Sequence, residues 1–203
     1  AVEVREGGIS APILLLEGVF EPTELQLASS QDFWVMIDNS QQLVWLEQAE
    51  LEKPVTCWLK IDTGMHRLGF PLAETRAVFA ELESIAGPGA VSLMSHFACA
   101  DEADNPKTGL QIQRFDEAVG GLQASHSLAN SAAILNFPAS HREMVRPGIL
   151  LYGISSDLSQ PAADIGLKPA MTLSCELVAI NHCHAGESIG YGAAFQCPGD
   201  MRV

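Results

Sequence analysis

Basic residues are scarce in this chain: eleven Lys and Arg stand against 25 Asp and Glu, for a formal charge of −14. A surface that acidic repels nucleic-acid backbones and anionic membranes, so neither is expected as a partner. Long apolar runs are missing as well. The longest, such as Ile13–Leu16 and Ile149–Tyr152, are strand-sized, against the roughly 18 residues that cross a bilayer. No CxxC pair occurs, and the five cysteines (57, 99, 175, 183 and 197) are odd in number. A disulfide framework or structural zinc therefore has no support, and a reducing, cytoplasmic setting fits better. His182-Cys183-His184 has ligand residue types, but alternation along a strand sends neighbours to opposite faces, so no metal site is expected there. There is no internal repeat or low-complexity tract.

What is present is the composition of a packed globular domain, 47% hydrophobic and only 18% charged. The opening Ala1-Val2-Glu3-Val4-Arg5-Glu6-Gly7-Gly8 reads as a helix end with glycine in the C-cap region. At the other end, Asp200-Met201-Arg202-Val203 reads as a strand beginning. Both ends suggest an internal piece of a longer protein, so the lack of a leader sequence carries no weight.

Between the ends, short apolar runs alternate with amphipathic segments. Strands are expected over Ile13–Glu17, Phe33–Ile37, Thr56–Asp62, Val91–Phe97, His126–Ala129 and Val145–Tyr152. Helices are expected around Pro22–Ser29, Ser40–Glu50, Leu72–Ile85, Gly109–Gly121 and Ser131–Asn136. This alternation marks a parallel α/β sheet. Six such strands are two short of an eight-stranded barrel, which takes about 250 residues. The fold class expected is therefore a partial TIM-type (β/α)8 barrel over residues 1–166. A polar stretch with Pro161 and Gly166 follows. Met171–Asn181, a turn at Gly186-Glu187 and Ser188–Ala194 then read as strands, so residues 167–203 look like the start of an all-β domain.

The densest polar cluster in an apolar setting is Trp58-Leu-Lys60-Ile-Asp62-Thr-Gly-Met-His-Arg67-Leu-Gly-Phe70. Lys60 and Asp62 share one strand face, and the chain then turns beyond the strand's carboxyl end, where barrel enzymes keep their catalytic groups. A lysine inside a barrel needs a counter-charge or a modification. Arg67 is a donor fork suited to a carboxylate or phenolate, and a structural salt bridge is the plain alternative. His96, in Ser95-His-Phe-Ala98, ends the next strand, where a lone histidine is more often a hydrogen-bonded core residue than a catalyst. Ser131 suits a helix N-cap or an anion site. Pro147 and Gly148 within a strand mark a bulge or the close approach of a ligand. With two strands upstream, Ser131 and Gly148 would follow strands seven and eight, whose loops often bind phosphate. Tyr191 stands between Gly190 and Gly192, which suits a reactive phenol or an ordinary turn.

Together these segments resemble the alanine racemase family of pyridoxal-phosphate enzymes. The resemblance rests on Lys60-Ile-Asp-Thr-Gly-Met-His-Arg67-Leu-Gly, Ser95-His-Phe-Ala, Asn130-Ser-Ala-Ala, Val145-Arg-Pro-Gly-Ile-Leu-Leu-Tyr-Gly153 and Gly190-Tyr-Gly192, in the family's order across nearly the whole chain. It implies pyridoxal 5′-phosphate as cofactor and the interconversion of L- and D-alanine, either to supply D-alanine or to degrade L-alanine. It implies that Lys60 is carbamylated and holds Arg67, which reaches the cofactor's phenolic oxygen and the substrate carboxylate. Ser131, Gly148 and Ile149 would bind the cofactor phosphate, and Arg146 would pair with the pyridine nitrogen and leave it unprotonated. Tyr191 would be one of two bases, supported by His96 and delivered across a homodimer interface.

One departure from the family is as informative as the matches. The second base, a lysine in a Lys-Ala-Asn-Ala-Tyr-Gly-His-Gly type of motif, matches none of the four lysines at 53, 60, 107 and 168. These residues alone are therefore expected to lack the usual Schiff base and to be inactive. Two other functions fit the same pattern: a related racemase or decarboxylase for another amino acid, and a non-catalytic interaction domain. An open six-stranded barrel would leave two strand edges bare, which speaks against the last.

Overall fold

The computed structural model describes residues 1–157 and 159–203, which form two compact units, Ala1–Ala170 and Met171–Val203. In the first unit a short helix α1 (Val2–Glu6) precedes a regular alternation of strand and helix. The order is β1 (Ile13–Leu15), α2 (Thr23–Gln31), β2 (Phe33–Ile37), α3 (Ser40–Gln48), β3 (Cys57–Asp62), β4 (Phe70–Pro71) and α4 (Thr75–Ala86). β5 (Val91–Met94), α5 (Pro106–Val119), β6 (His126–Ser127) and α6 (Ser131–Asn136) follow. The main strands pair in parallel in the order β1-β2-β3-β5-β6, and β4 adds a short pairing to β3. Each crossover carries a helix, as parallel pairing requires. This is a partial (β/α)8 barrel.

The strand pattern decides which side chains face where. Odd positions such as Val35, Leu59, Ile61 and Leu93 join the main core with Leu25, Leu43, Leu82 and Phe115 from the helices. Even positions form the opposite face, where Met36, Trp58 and Met94 cluster with Leu14 and Trp34. Trp34 and Trp58 stack with centroids 6.1 Å apart. Met36 lies opposite Trp58, and Lys60 opposite Met94, in the strand register. Continued by two residues, this inner face presents Asp38, Asp62 and His96 at the strands' carboxyl ends.

Four expectations need correction. Val145–Tyr152 is not a strand. Met144 and Arg146 donate to the carbonyls of His126 and Ala129, but Pro147 has no N–H to continue the ladder, and Ile149–Tyr152 closes into a 3-10 turn. The helix expected from Gly109 starts earlier, at Pro106, because Asn105 caps it and proline suits the first turn. Met171–Asn181 forms no strand either. Among the described residues only Asn181 finds a backbone partner there, Val203, and Leu173 and Val178 are fully exposed.

The second unit is built from two small antiparallel pairs. β7 (His182–Cys183) pairs with β10 (Met201–Arg202), and β8 (Ser188–Ile189) with β9 (Phe195–Gln196). The expected run Ser188–Ala194 breaks at Gly190 and Gly192, whose φ values of 73° and 74° turn the chain. Among the described residues, no helix is long and apolar enough to cross a membrane.

Candidate active site

The carboxyl ends of the parallel strands surround an open cavity of about 1500 Å³. Seven of the eight residues singled out above line it: Lys60, Arg67, His96, Ser131, Arg146, Gly148 and Ile149. The eighth, Tyr191, belongs to the second unit, where it opens the 3-10 turn between β8 and β9 with its ring exposed.

Lys60 is only 8% exposed and, among the described residues, has neither a hydrogen bond nor an ion pair. Burial, with Arg146 and Arg67 nearby, pushes its pKa down to about 8, against the opposing pull of Asp38 and Asp62. Lys60 and Asp62 share a strand face but form no ion pair among the described residues. Asp62 instead turns its carboxylate to the loop it begins, accepting from the N–H groups of Gly64, Met65 and His66 at 2.9–3.1 Å. Its second oxygen meets His66 Nδ1 at 2.8 Å. The loop curls back on its first residue, and Arg67 follows onto the cavity wall with no hydrogen-bond partner among the described residues.

Arg146 is the hub of the opposite side. Its NH1 donates to Ser127 O at 2.8 Å and Ser127 Oγ at 2.6 Å. Its NH2 reaches Ser95 O at 2.6 Å, Leu128 O at 3.2 Å and His96 Nδ1 at 3.3 Å. The Nε–H is left without a partner among the described residues. Burial lowers the Arg146 pKa to about 10, so the side chain stays charged. His96 accepts through Nδ1 and is therefore neutral. Desolvation, then Lys60, Arg146 and Arg67, drive its pKa to about 4.

Ser131 does not cap its helix. Asn130, with extended backbone, is the N-cap, and its side chain accepts from Ala133 N at 3.0 Å. Replacing Asn130 by alanine is expected to cost about 1 kcal/mol, seen as a lower urea midpoint at constant m-value. Ser131 is thereby free to face the cavity, where its Oγ accepts a long bond from Leu150 N at 3.4 Å. A Cβ on Gly148 would point at that hydroxyl, 3.8 Å away. The absent side chain leaves a cradle between Ser131 and the turn at Ile149.

Lys60, Arg67 and Arg146 thus bring three basic side chains to one cavity of an acidic protein. Glu17, Asp38, Asp62 and Asp101 also line it. However, Asp62 is committed to its own loop, and burial raises the Asp38 pKa, opposing its charge. The arrangement suits a small ligand with more than one anionic group.

Residues 1–156 match the family described as alanine racemase, N-terminal domain. The chain belongs to that family. It is 43% identical to the alanine racemase of Shewanella loihica, covering 100% of this chain and 57% of that protein. Against the alanine racemase of Thiobacillus denitrificans the identity is 45%, covering 100% and 55%. Among solved structures, the biosynthetic alanine racemase of Pseudomonas aeruginosa superposes with a TM-score of 0.91 at 43% identity, over 99% of this chain and 56% of that one. The alanine racemase of Acinetobacter baumannii gives 0.88 at 38% identity, over 99% and 57%. The chain spans a little over half the length of these racemases.

Two residues, one lining the cavity and one behind its wall, went unmarked in the sequence. Asp38 falls two residues after Met36 on the inner face, so strand alternation carried past the end of β2 points to it. Gln111 interrupts the buried stripe Thr108, Gln111, Phe115, Val119 of α5. A polar residue at core spacing on a helix is itself a signal.

Proposed function

We propose that this chain is the cofactor-binding part of an alanine racemase that uses pyridoxal 5′-phosphate, with residues 1–166 as the partial barrel and 167–203 opening a β domain. The observation that carries the reading is the convergence of Lys60, Arg67 and Arg146 with Ser131 and Gly148 on one cavity. The donor set fits the cofactor. Ser131, Gly148 and Ile149 offer a hydroxyl and an uncrowded backbone to its phosphate. Arg146, anchored through four oxygens, has its Nε–H free to donate to the pyridine nitrogen. A charged guanidinium there is a poor acid, so that nitrogen stays unprotonated. Pyridoxal phosphate supplies, when bound, an electron sink for the α-carbon of the amino acid.

The protein's own groups bind and move protons around that carbon. Arg67 takes the substrate carboxylate and the phenolic oxygen. A carbamate on Lys60 would convert a lone buried cation into an anion able to hold Arg67, and a pKa of about 8 leaves enough neutral amine to react with carbon dioxide. Tyr191 is the base for one face, and His96, kept neutral, supports it. The opposite face needs a lysine that these four do not supply. The 203 residues alone are therefore expected to bind cofactor without racemising alanine, and the active form is a cytoplasmic homodimer with shared sites.

Equilibrium dialysis of the chain against pyridoxal phosphate tests the reading. Saturable binding that weakens at least about tenfold in Arg67→Ala and Ser131→Ala supports it. Equal binding by all three proteins would remove this cavity as the cofactor site.

A further inference from the structure

Gln111 sits on α5, behind the cavity wall and outside the cavity itself. It is 0% exposed, yet its amide is fully used. Nε2 donates to Thr63 Oγ1 at 3.0 Å and to the main-chain oxygen of His96 at 2.9 Å. Oε1 accepts from Ala98 N at 3.0 Å. The amide therefore grips His96 and Ala98 from both ends of a three-residue segment. It ties them to Thr63 in the loop after β3. Thr63 Oγ1 in turn meets Ser95 Oγ at 2.8 Å, and Ser95 Oγ donates to Ile61 O at 2.9 Å. Arg114, one turn further along α5, donates to Thr63 O at 3.2 Å. The fit is close: a Cβ on Gly64 would lie 3.2 Å from Arg114 NH1 and 3.7 Å from Gln111 Cγ.

The ends of β3 and β5 carry the groups that matter on the inner face. His96 can accept from Arg146 only while the backbone at 95–97 is held in place. Ser95 O is also an Arg146 acceptor, so both of its contacts with this segment depend on the same stretch of chain. A core apolar residue would fill the space of Gln111 but fix neither loop. Burying an amide costs free energy unless every polar atom is paired, and here the pairing goes entirely to the two loops.

We propose that Gln111 is a positioning residue: its buried amide locks the loops after β3 and β5 together and thereby holds His96 on Arg146. The importance of this for catalysis rests on the racemase reading above. The placement of His96 does not, and the experiment reads only the placement.

The test is histidine titration by NMR on the 203-residue chain and on Gln111→Met, which keeps the length of the side chain and removes its hydrogen bonds. In the parent, His96 faces Lys60, Arg67 and Arg146 and titrates near 4. Freed from the strut, the imidazole leaves the cations and its desolvated position. Its pKa is expected to rise by more than about one unit toward the ordinary value of about 6.5. His126 is the internal control, because its ring packs edge-on against Phe115 of the same helix at 5.3 Å. A rise at His96 with His126 unmoved supports the proposal. No rise at His96, or parallel shifts at both, would reduce Gln111 to a general support of α5. Should Gln111→Met fail to fold, amide exchange in the parent decides. Ala98 N–H is expected to be protected at least about 100-fold over an open loop, and exchange at the rate of an open loop overturns the proposal.

Discussion

Lys60→Met is expected to stabilise the chain by about 3 kcal/mol at pH 7 while weakening anion binding in the cavity. The stability gain follows from the lowered pKa. In the unfolded chain Lys60 titrates at its ordinary value near 10.5, and in the folded chain at about 8, a difference worth about 3 kcal/mol at 1.36 kcal/mol per pH unit. The sign is fixed by the direction of the shift. Below pH 8 both states are charged and the folded state bears the whole cost of burying an ammonium beside two guanidinium groups. Between pH 8 and 10.5 the folded lysine is neutral while the unfolded one still holds its proton, so the cost fades. Above 10.5 it is gone. Methionine fills a similar volume without charge, so its advantage should be full at pH 7 and vanish by pH 10.5. Urea unfolding across that range measures it, and a pH-independent difference would mean that packing, not charge, separates the two proteins. Dissolved bicarbonate at pH 8 provides a second arm. If Lys60 takes up carbon dioxide, the parent's Tm rises and that of Lys60→Met does not.

The same residue illustrates how the sequence and the structure divide the information. Lys60, Asp62 and Trp58 share a strand face by alternation alone, and the apolar runs around them were enough to place β1, β2, β3 and β5 in a parallel sheet. Strand position and motif spacing singled out Lys60, Arg67, His96, Ser131 and Gly148, the family resemblance added Arg146 and Ile149, and all seven line one cavity. Partner choice was not legible, because it depends on loop geometry that no periodicity encodes. Strand parity puts Asp62 on the same face as Lys60, yet its carboxylate goes to three backbone N–H groups of its own loop. Ser131 looked like a cap because serine caps helices, but Asn130, one residue earlier, has the extended backbone that capping needs. Val145–Tyr152 carries strand-like composition, and Pro147 removes the donor on which a ladder depends. The Met171–Asn181 run shows the limit of pattern reading most plainly. β-branched and apolar residues make a strand only when a second strand is there to pair with them.

Arg146→Ala should be the most damaging single change at the cavity, with a loss of about 3 kcal/mol or more. A half-buried guanidinium that bridges the ends of β5 and β6 satisfies the carbonyls of Ser95, Ser127 and Leu128 together with the Ser127 hydroxyl. Truncation leaves acceptors facing a cavity with no donor, each at a cost of roughly 1 kcal/mol or more. Arg146→Lys should recover only part of that, because a single ammonium lacks the fork that reaches Ser127 and Ser95 at once. The loss will not be additive with the change at Lys60. Arg146 is the largest charged contributor to the depressed Lys60 pKa, so removing it relieves a repulsion at the same time as it breaks hydrogen bonds. In the parent that relief masks part of the damage. In a Lys60→Met background there is no ammonium to relieve, and Arg146→Ala should cost more, by about 1 kcal/mol. A double-mutant cycle by urea unfolding at pH 7 measures the difference directly. Repeated at about pH 9, where the folded Lys60 is mostly neutral while Arg146 keeps its charge, the coupling should shrink toward zero. A coupling that persists there would show that the two side chains interact through packing, and that the cavity is not held under electrostatic tension by its own cations.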